Sequence, residues 1–213
     1  PDTAEVVGLI EEFFRARTET FLKERGFAND VVAAVAAVSW SEPGIALQRA
    51  RAIRNLKGDR AFELLITGVK RVGNILAPDL KRFGTSWDVL EDAFVSAPGT
   101  AFDPALFEDD SERRLYDAVR RAIPQMIQFD AVSDVSSILA VLSELGPAID
   151  EFFDRVLVNC ADEKLRRNRH RFLSAVFSLF AKYADFSLYD TLSAGLGAKG
   201  CGLRFFPQIF TQC

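Results

Sequence analysis

The sequence predicts an all-α fold, a helical bundle, and three observations carry that expectation. Apolar residues recur three to four positions apart in nearly every segment. No stretch alternates apolar and polar residues in the manner of a half-buried strand. Gly, Pro, Asn, Asp and Ser stand between the periodic segments, where helices stop and restart.

The elements follow in order. Residues Ala4–Arg25 carry Val7, Ile10, Phe13, Phe14, Phe21 and Leu22 at helical spacing, and Gly26 stops that helix. Asn29 or Asp30 is placed to cap a second helix, Val31–Val38. Ser41 and Pro43 restart the chain, the proline being tolerated in a first turn, and Gly58-Asp59 breaks it again. Asp59–Leu76 reads as a strongly amphipathic helix ended by Pro78, and Ala97–Pro104 as a loop. Asp109–Phe129 is helical but holds Pro124, which is expected to kink or end it. Ser133–Leu145 follows, and Pro147–Val158 with Ala161–Ala184 is expected to form a helical hairpin. The tail from Gly195 differs from these segments, being rich in Gly and then holding Phe205-Phe206-Pro207.

Composition narrows the partners. The 213 residues carry a net charge of −4, so RNA binding would have to use a local basic face. Three cysteines, Cys160, Cys201 and Cys213, are too few and too irregular for a disulfide framework and fit a reducing, cytoplasmic compartment. No apolar run reaches the ~18 residues of a membrane span. A chain that starts at Pro1 with a helical pattern only a few residues later is read as a fragment of a longer protein.

Catalytic patterns are missing. His170 is the single histidine and no G-x-S-x-G turn accompanies it, so no catalytic residues are expected; a half-buried structural role suits it better. One histidine and scattered cysteines predict no metal site. Gly195-Leu196-Gly197-Ala198-Lys199-Gly200 matches G-x-G-x-x-G, but without a preceding strand, and no cofactor is expected.

Two helices hold the candidate RNA-binding residues. On Asp59–Leu76, Lys70, Arg71 and Asn74 lie opposite the apolar stripe, where cations and a carboxamide can hold a phosphate and a base edge together. A plain solvated face is the competing reading. Gly73 lies beside the stripe, where close approach of another helix would explain it. On Ala161–Ala184, Arg166, Arg167 and Arg171 form the densest basic run, with Lys182, Ser174 and Ser178 also directed away from the apolar face. Arg169 projects into the apolar stripe itself and needs a partner there. Asp150 or Asp154 of the preceding helix is the expected one, with Asn168 joining the network. Phe152, Phe153, Phe172 and Val176 are expected in the core.

The same stretch carries a resemblance. Pro147 through Val158, then Asp162, Arg166, Asn168, Arg169 and Leu173, then Leu179-Phe180 and Ala184-Asp185-Phe186-Ser187-Leu188 resemble the closing helical region of the glycyl-tRNA synthetase β subunit. Lys70-Arg71-Val72-Gly73-Asn74-Ile75-Leu76 resembles its K-R-V-x-N-I-L motif, and Ala46-Leu47-Gln48-Arg49-Ala50 is similar to the stretch that names the DALR-type anticodon-binding domain. The resemblance covers about residues 6–188, and that family ends near Leu188, which implies one helical domain over 1–188 and a Gly-rich tail over 189–213; the family carries a leucine where His170 stands.

The resemblance implies a class II glycine–tRNA ligase of α2β2 form, in which the α subunit uses ATP and Mg to activate glycine. This domain would bind the anticodon region of glycine tRNA beside the rest of β and would carry no catalytic centre. Two alternatives keep the helical fold: an anticodon-binding domain of an arginyl-type or other synthetase, and a protein–protein scaffold that binds no RNA.

Overall fold

A computed structural model describes residues 2–76, 86–96, 99, 101–131 and 133–189. Pro78, the Gly-rich G-x-G-x-x-G match, Cys201 and Cys213 lie outside the described residues. Among those described the architecture is all-α, with no strand. The helices are α1 (Thr3–Lys23), α2 (Asn29–Ser39), α3 (Pro43–Asn55), α4 (Arg60–Leu76), α5 (Trp87–Glu91), α6 (Asp110–Ala131), α7 (Val135–Ser143), α8 (Gly146–Arg155) and α9 (Glu163–Ala181). A π-helical turn at Asp92–Ser96 follows α5, and short 3-10 turns occupy Pro104–Leu106 and Phe186–Leu188. No helix of the described residues is long and apolar enough to cross a membrane.

Local chemistry explains most boundaries. Gly26 and Gly58 end their helices at φ 75° and 88°, the left-handed region that glycine enters at little cost. Asp59, Asp134 and Asp162 accept the backbone N–H of Phe62, Ser137 and Leu165 at 2.9, 3.1 and 2.9 Å, satisfying donors left open in the first turn. Pro43 sits in the first turn of α3 as expected. The caps expected at Asn29 or Asp30 and at Ser41 are not used: Ala28 and Glu42 hold those positions without a side-chain bond. Pro124 does not end α6, which continues to Ala131. Ile123 and Met126 on either side of it are buried, and their packing holds the helix through the proline.

α4 lies at the centre, packed on α7, α8, α9 and the last 3-10 turn. Its buried stripe is Phe62, Leu65, Ile66, Val69, Val72 and Leu76, the face that its periodicity marks. The glycine used for close approach is Gly68, not Gly73. A Cβ on Gly68 would collide with Ile149 Cγ2 of α8, whereas one on Gly73 would meet nothing within 4 Å. Gly146 makes a second close approach, its Cα resting on the backbone of Ala61 and Leu65.

The expected α8–α9 hairpin is replaced by another arrangement. α8 packs chiefly on α4 and α6, and α9 on α4; α8 and α9 touch through Phe152 and Phe172, whose ring centroids are 6.1 Å apart. Phe172 also joins Phe94, Phe102, Phe107 and Tyr116 in one aromatic cluster, with Phe102 5.0 Å away. α9 is therefore buried further around than its apolar stripe suggests, and Ser174 and Ser178 lie inside; Ser178 donates to the Ser174 carbonyl at 3.0 Å. Lys182 also turns inward enough to sit 3.6 Å from Asp130 and over the Trp87 ring. Asp130 accepts from Trp87 Nε1 at 2.7 Å and from the Tyr183 hydroxyl at 3.3 Å, and burial pushes that hydroxyl's pKa up. Tyr189, one residue beyond the expected domain end, is buried against Phe62 at 5.8 Å.

Candidate nucleic-acid interface

Arg169 is 5% exposed, and a guanidinium there is costly without compensation. Its partner is Glu112 of α6, not Asp150 or Asp154 of α8: Nε reaches Glu112 Oε1 at 2.9 Å and Nη2 reaches Oε2 at 3.2 Å. Glu108 Oε2 is 3.4 Å away and the Leu157 carbonyl accepts at 3.3 Å. Glu112 also accepts the backbone N–H groups of Glu108 and Asp109 at 2.9 and 3.0 Å. Burial pushes its carboxyl up, but the bonds from Arg169 and from these amides outweigh that and hold its pKa below the ordinary glutamate value. The lock thus ties α9 to α6. The sequence expectation failed because α8 rotates its acids outward: Asp150 lies 3.9 Å from Arg71, and Asp154 is exposed.

Asn168 clamps a different element. Its carboxamide accepts from Asp103 N at 2.7 Å and donates to Asp103 O at 2.9 Å, pinning the segment before the 3-10 turn onto α9. His170 is half-buried and its Nε2 lies 2.8 Å from Asn159 Oδ1, a structural setting.

The candidate RNA-binding residues divide between two concavities. The first, about 330 Å³, lies between α4 and α8 and is lined by Arg71, Asn74, Ile75, Phe153 and Asp154. Arg71 and Asn74 are one helical turn apart and exposed, as their spacing requires. Lys70 is half-buried beside them and does not line it. Phe153 is only half-buried, correcting its expected place in the core, and the Arg71 guanidinium stands 5.8 Å from its ring centroid. The second, about 470 Å³, separates Gly99 and residues 101–106 from α9 and is lined in part by Phe102, Glu163, Lys164, Arg167 and Arg171. Arg166 turns elsewhere, donating to the Cys160 carbonyl at 2.9 Å. Arg167 is held by Glu163 at 2.6 Å, an exposed i,i+4 pair of little energetic weight.

Sequence reasoning missed Phe153 and Lys164. Lys164 stands three and seven residues before Arg167 and Arg171, so helical spacing already placed it on their side. Phe153 follows buried Phe152, and periodicity alone did not separate the two. Among the described residues no group of three or more His, Cys, Asp or Glu is arranged to hold a metal ion.

An all-helical domain with a cation-lined and an aromatic-lined concavity is the class that the fold and this surface define. Comparison with known proteins narrows it. The chain is 34% identical over 182 residues, 85% of its length, to the β subunit of glycine–tRNA ligase from Syntrophus aciditrophicus. It is 33% identical over 183 residues, 86% of its length, to that of Syntrophotalea carbinolica. To that of Vibrio cholerae it is 31% identical over 177 residues, 83% of its length. In each case it spans 24% of the relative's length, so it corresponds to one region of such a β subunit. No protein-family model matches the chain.

Proposed function

We propose that this chain binds the anticodon region of glycine tRNA, as the DALR-type helical domain of a glycine–tRNA ligase β subunit. The observation that carries the reading is the α4–α8 concavity, in which a cation, a carboxamide and a half-buried aromatic ring meet. Those groups suit an unstacked base: Phe153 offers a stacking face, Arg71 a planar cation, and Asn74 a donor and an acceptor for a base edge. The α9 concavity supplies Lys164, Arg167 and Arg171 for the phosphates that flank such a base. Lys70 adds charge next to the first site. In this reading ATP, Mg and glycine belong to the α subunit, and the domain contributes affinity and selection of tRNA to the α2β2 enzyme.

The two concavities respond differently to substitution. R167A/R171A is expected to weaken glycine tRNA binding and to lower the log–log salt slope by about 1.4, since each lost single-strand phosphate contact removes about 0.7. F153L is expected to weaken binding about tenfold with the slope unchanged, because stacking releases no counterions; base–aromatic stacking contributes roughly 1–3 kcal/mol. Filter-binding titrations across a salt series measure both. An affinity indifferent to salt and to both variants contradicts RNA binding at these sites and supports a protein scaffold.

A further inference from the structure

α1 is amphipathic with its sides exchanged. Over its first four turns the less exposed side consists of Gly8, Glu11 and Arg15, leading to buried Thr18 and Leu22. That side faces α2 and α3, against which α1 packs. At about 100° per residue, Val6, Leu9, Ile10 and Phe13 fall on the opposite side, while Phe14 and Val7 lie between that side and the packed one. All six are exposed, Leu9 by 60% and Phe13 by 58%. The other exposed large apolar residues among those described, Val89, Leu157 and Leu188, are scattered singly, which needs no explanation. A contiguous outward stripe of four, Val6, Leu9, Ile10 and Phe13, with exposed Val7 and Phe14 at its margin, does need one, because apolar patches of this kind mark surfaces that another protein surface covers.

We propose that this face of α1 packs on a part of the same β subunit that lies outside the quarter to which this chain corresponds. The relatives supply the occupant: this chain matches 24% of their length while 85% of it is matched, so about three quarters of each subunit lies beyond the match. The helix offers no net positive charge to an anionic membrane surface, since Glu5, Glu11, Glu12 and Glu19 outnumber Arg15, Arg17 and Lys23 along it. The one cation within the stripe, Arg17, is folded over the Phe13 ring at 5.4 Å. This inference rests on the β-subunit reading and is independent of where RNA binds.

The test compares thiol labelling of Phe13→Cys in two settings, with Cys160, Cys201 and Cys213 changed to Ser. One is this chain alone, which has its own continuous core. The other is a chimera in which it replaces the matching quarter of the Syntrophus aciditrophicus β subunit, assembled with the α subunit. Lys57→Cys, in an exposed turn, is the reference. Fast labelling of both positions in the chain alone, and at least tenfold slower labelling of Phe13→Cys only in the chimera, is the expected result. Equal rates in the two settings overturn the proposal. So does slow, concentration-dependent labelling of the chain alone, which would assign the face to a second copy. A chimera that does not assemble with the α subunit overturns the β-subunit reading along with it.

Discussion

Arg169→Met is expected to destabilise the fold by about 3–5 kcal/mol, the cost of leaving a buried charge without its partner. Glu112 is fully buried, and without Arg169 it keeps only the amides of Glu108 and Asp109. Glu112→Gln is expected to cost a comparable amount by stranding the guanidinium. The double variant R169M/E112L should recover most of the loss, since a packed apolar pair of similar volume often equals or exceeds a buried ion pair. Urea denaturation of the three variants measures this directly, and a fully additive double variant would contradict the pairing. Acid should act through the same lock. The Glu112 pKa is depressed in the folded state, so its contribution is complete above the ordinary glutamate pKa and is lost as pH falls through the folded value. Stability should therefore fall on acidification below about pH 4.3, and less in E112Q than in the parent chain.

Gly146→Ala is the second large effect. A Cβ there would collide with the Ala61 carbonyl oxygen and stand 2.9 Å from Leu65 N, backbone atoms that no rotamer change can move. Either α8 lifts from α4 or the contact is strained, at about 3 kcal/mol, the upper range for overpacking. Gly68→Ala meets only the Ile149 side chain and should cost about 1–2 kcal/mol. Gly73→Ala meets nothing and should stabilise by up to about 1 kcal/mol through helix propensity alone. The order of denaturation midpoints tests the packing of α4 on α8; a G146A chain as stable as the parent would show that packing to be wrong. The displacement also has a functional consequence, because α8 carries Phe153 to Arg71. G146A should weaken tRNA binding in a way that G73A does not.

The three glycines show what the sequence could reveal. Helical periodicity placed the α4 stripe and the long helices, because burial of an apolar face is written in spacing, but it gave no element for the five-residue α5. It singled out Gly73, where Gly68 is the residue in contact, because the stripe tells which side of α4 is buried but not which neighbour arrives or at what height. Arg169 is the same case. Its position within an apolar face announced a buried charge and a need for compensation, and both hold. The partner lies 57 residues earlier in the chain, and no local pattern points from Arg169 to Glu112. Glu112 itself sits in the first turn of α6 among ordinary charged residues. At the candidate interface the spacing paired Lys70 with Asn74 and set Arg71 beside them; Arg71 and Asn74 are exposed and line the concavity while Lys70 is half-buried, and Phe153 became visible only once α8 was seated against α4. The apolar residues of α1 were legible as helix-spaced, but which of them face outward was not, since periodicity reports that an apolar face exists and not where its partner lies.

The central claim is that this domain holds the anticodon region, and footprinting tests it most directly. Glycine tRNA would be probed with hydroxyl radicals on the assembled α and β subunits, intact and with the region corresponding to this chain deleted. The account predicts that deletion exposes the anticodon loop while protection elsewhere on the tRNA persists. Unchanged protection of the anticodon loop after deletion would contradict it.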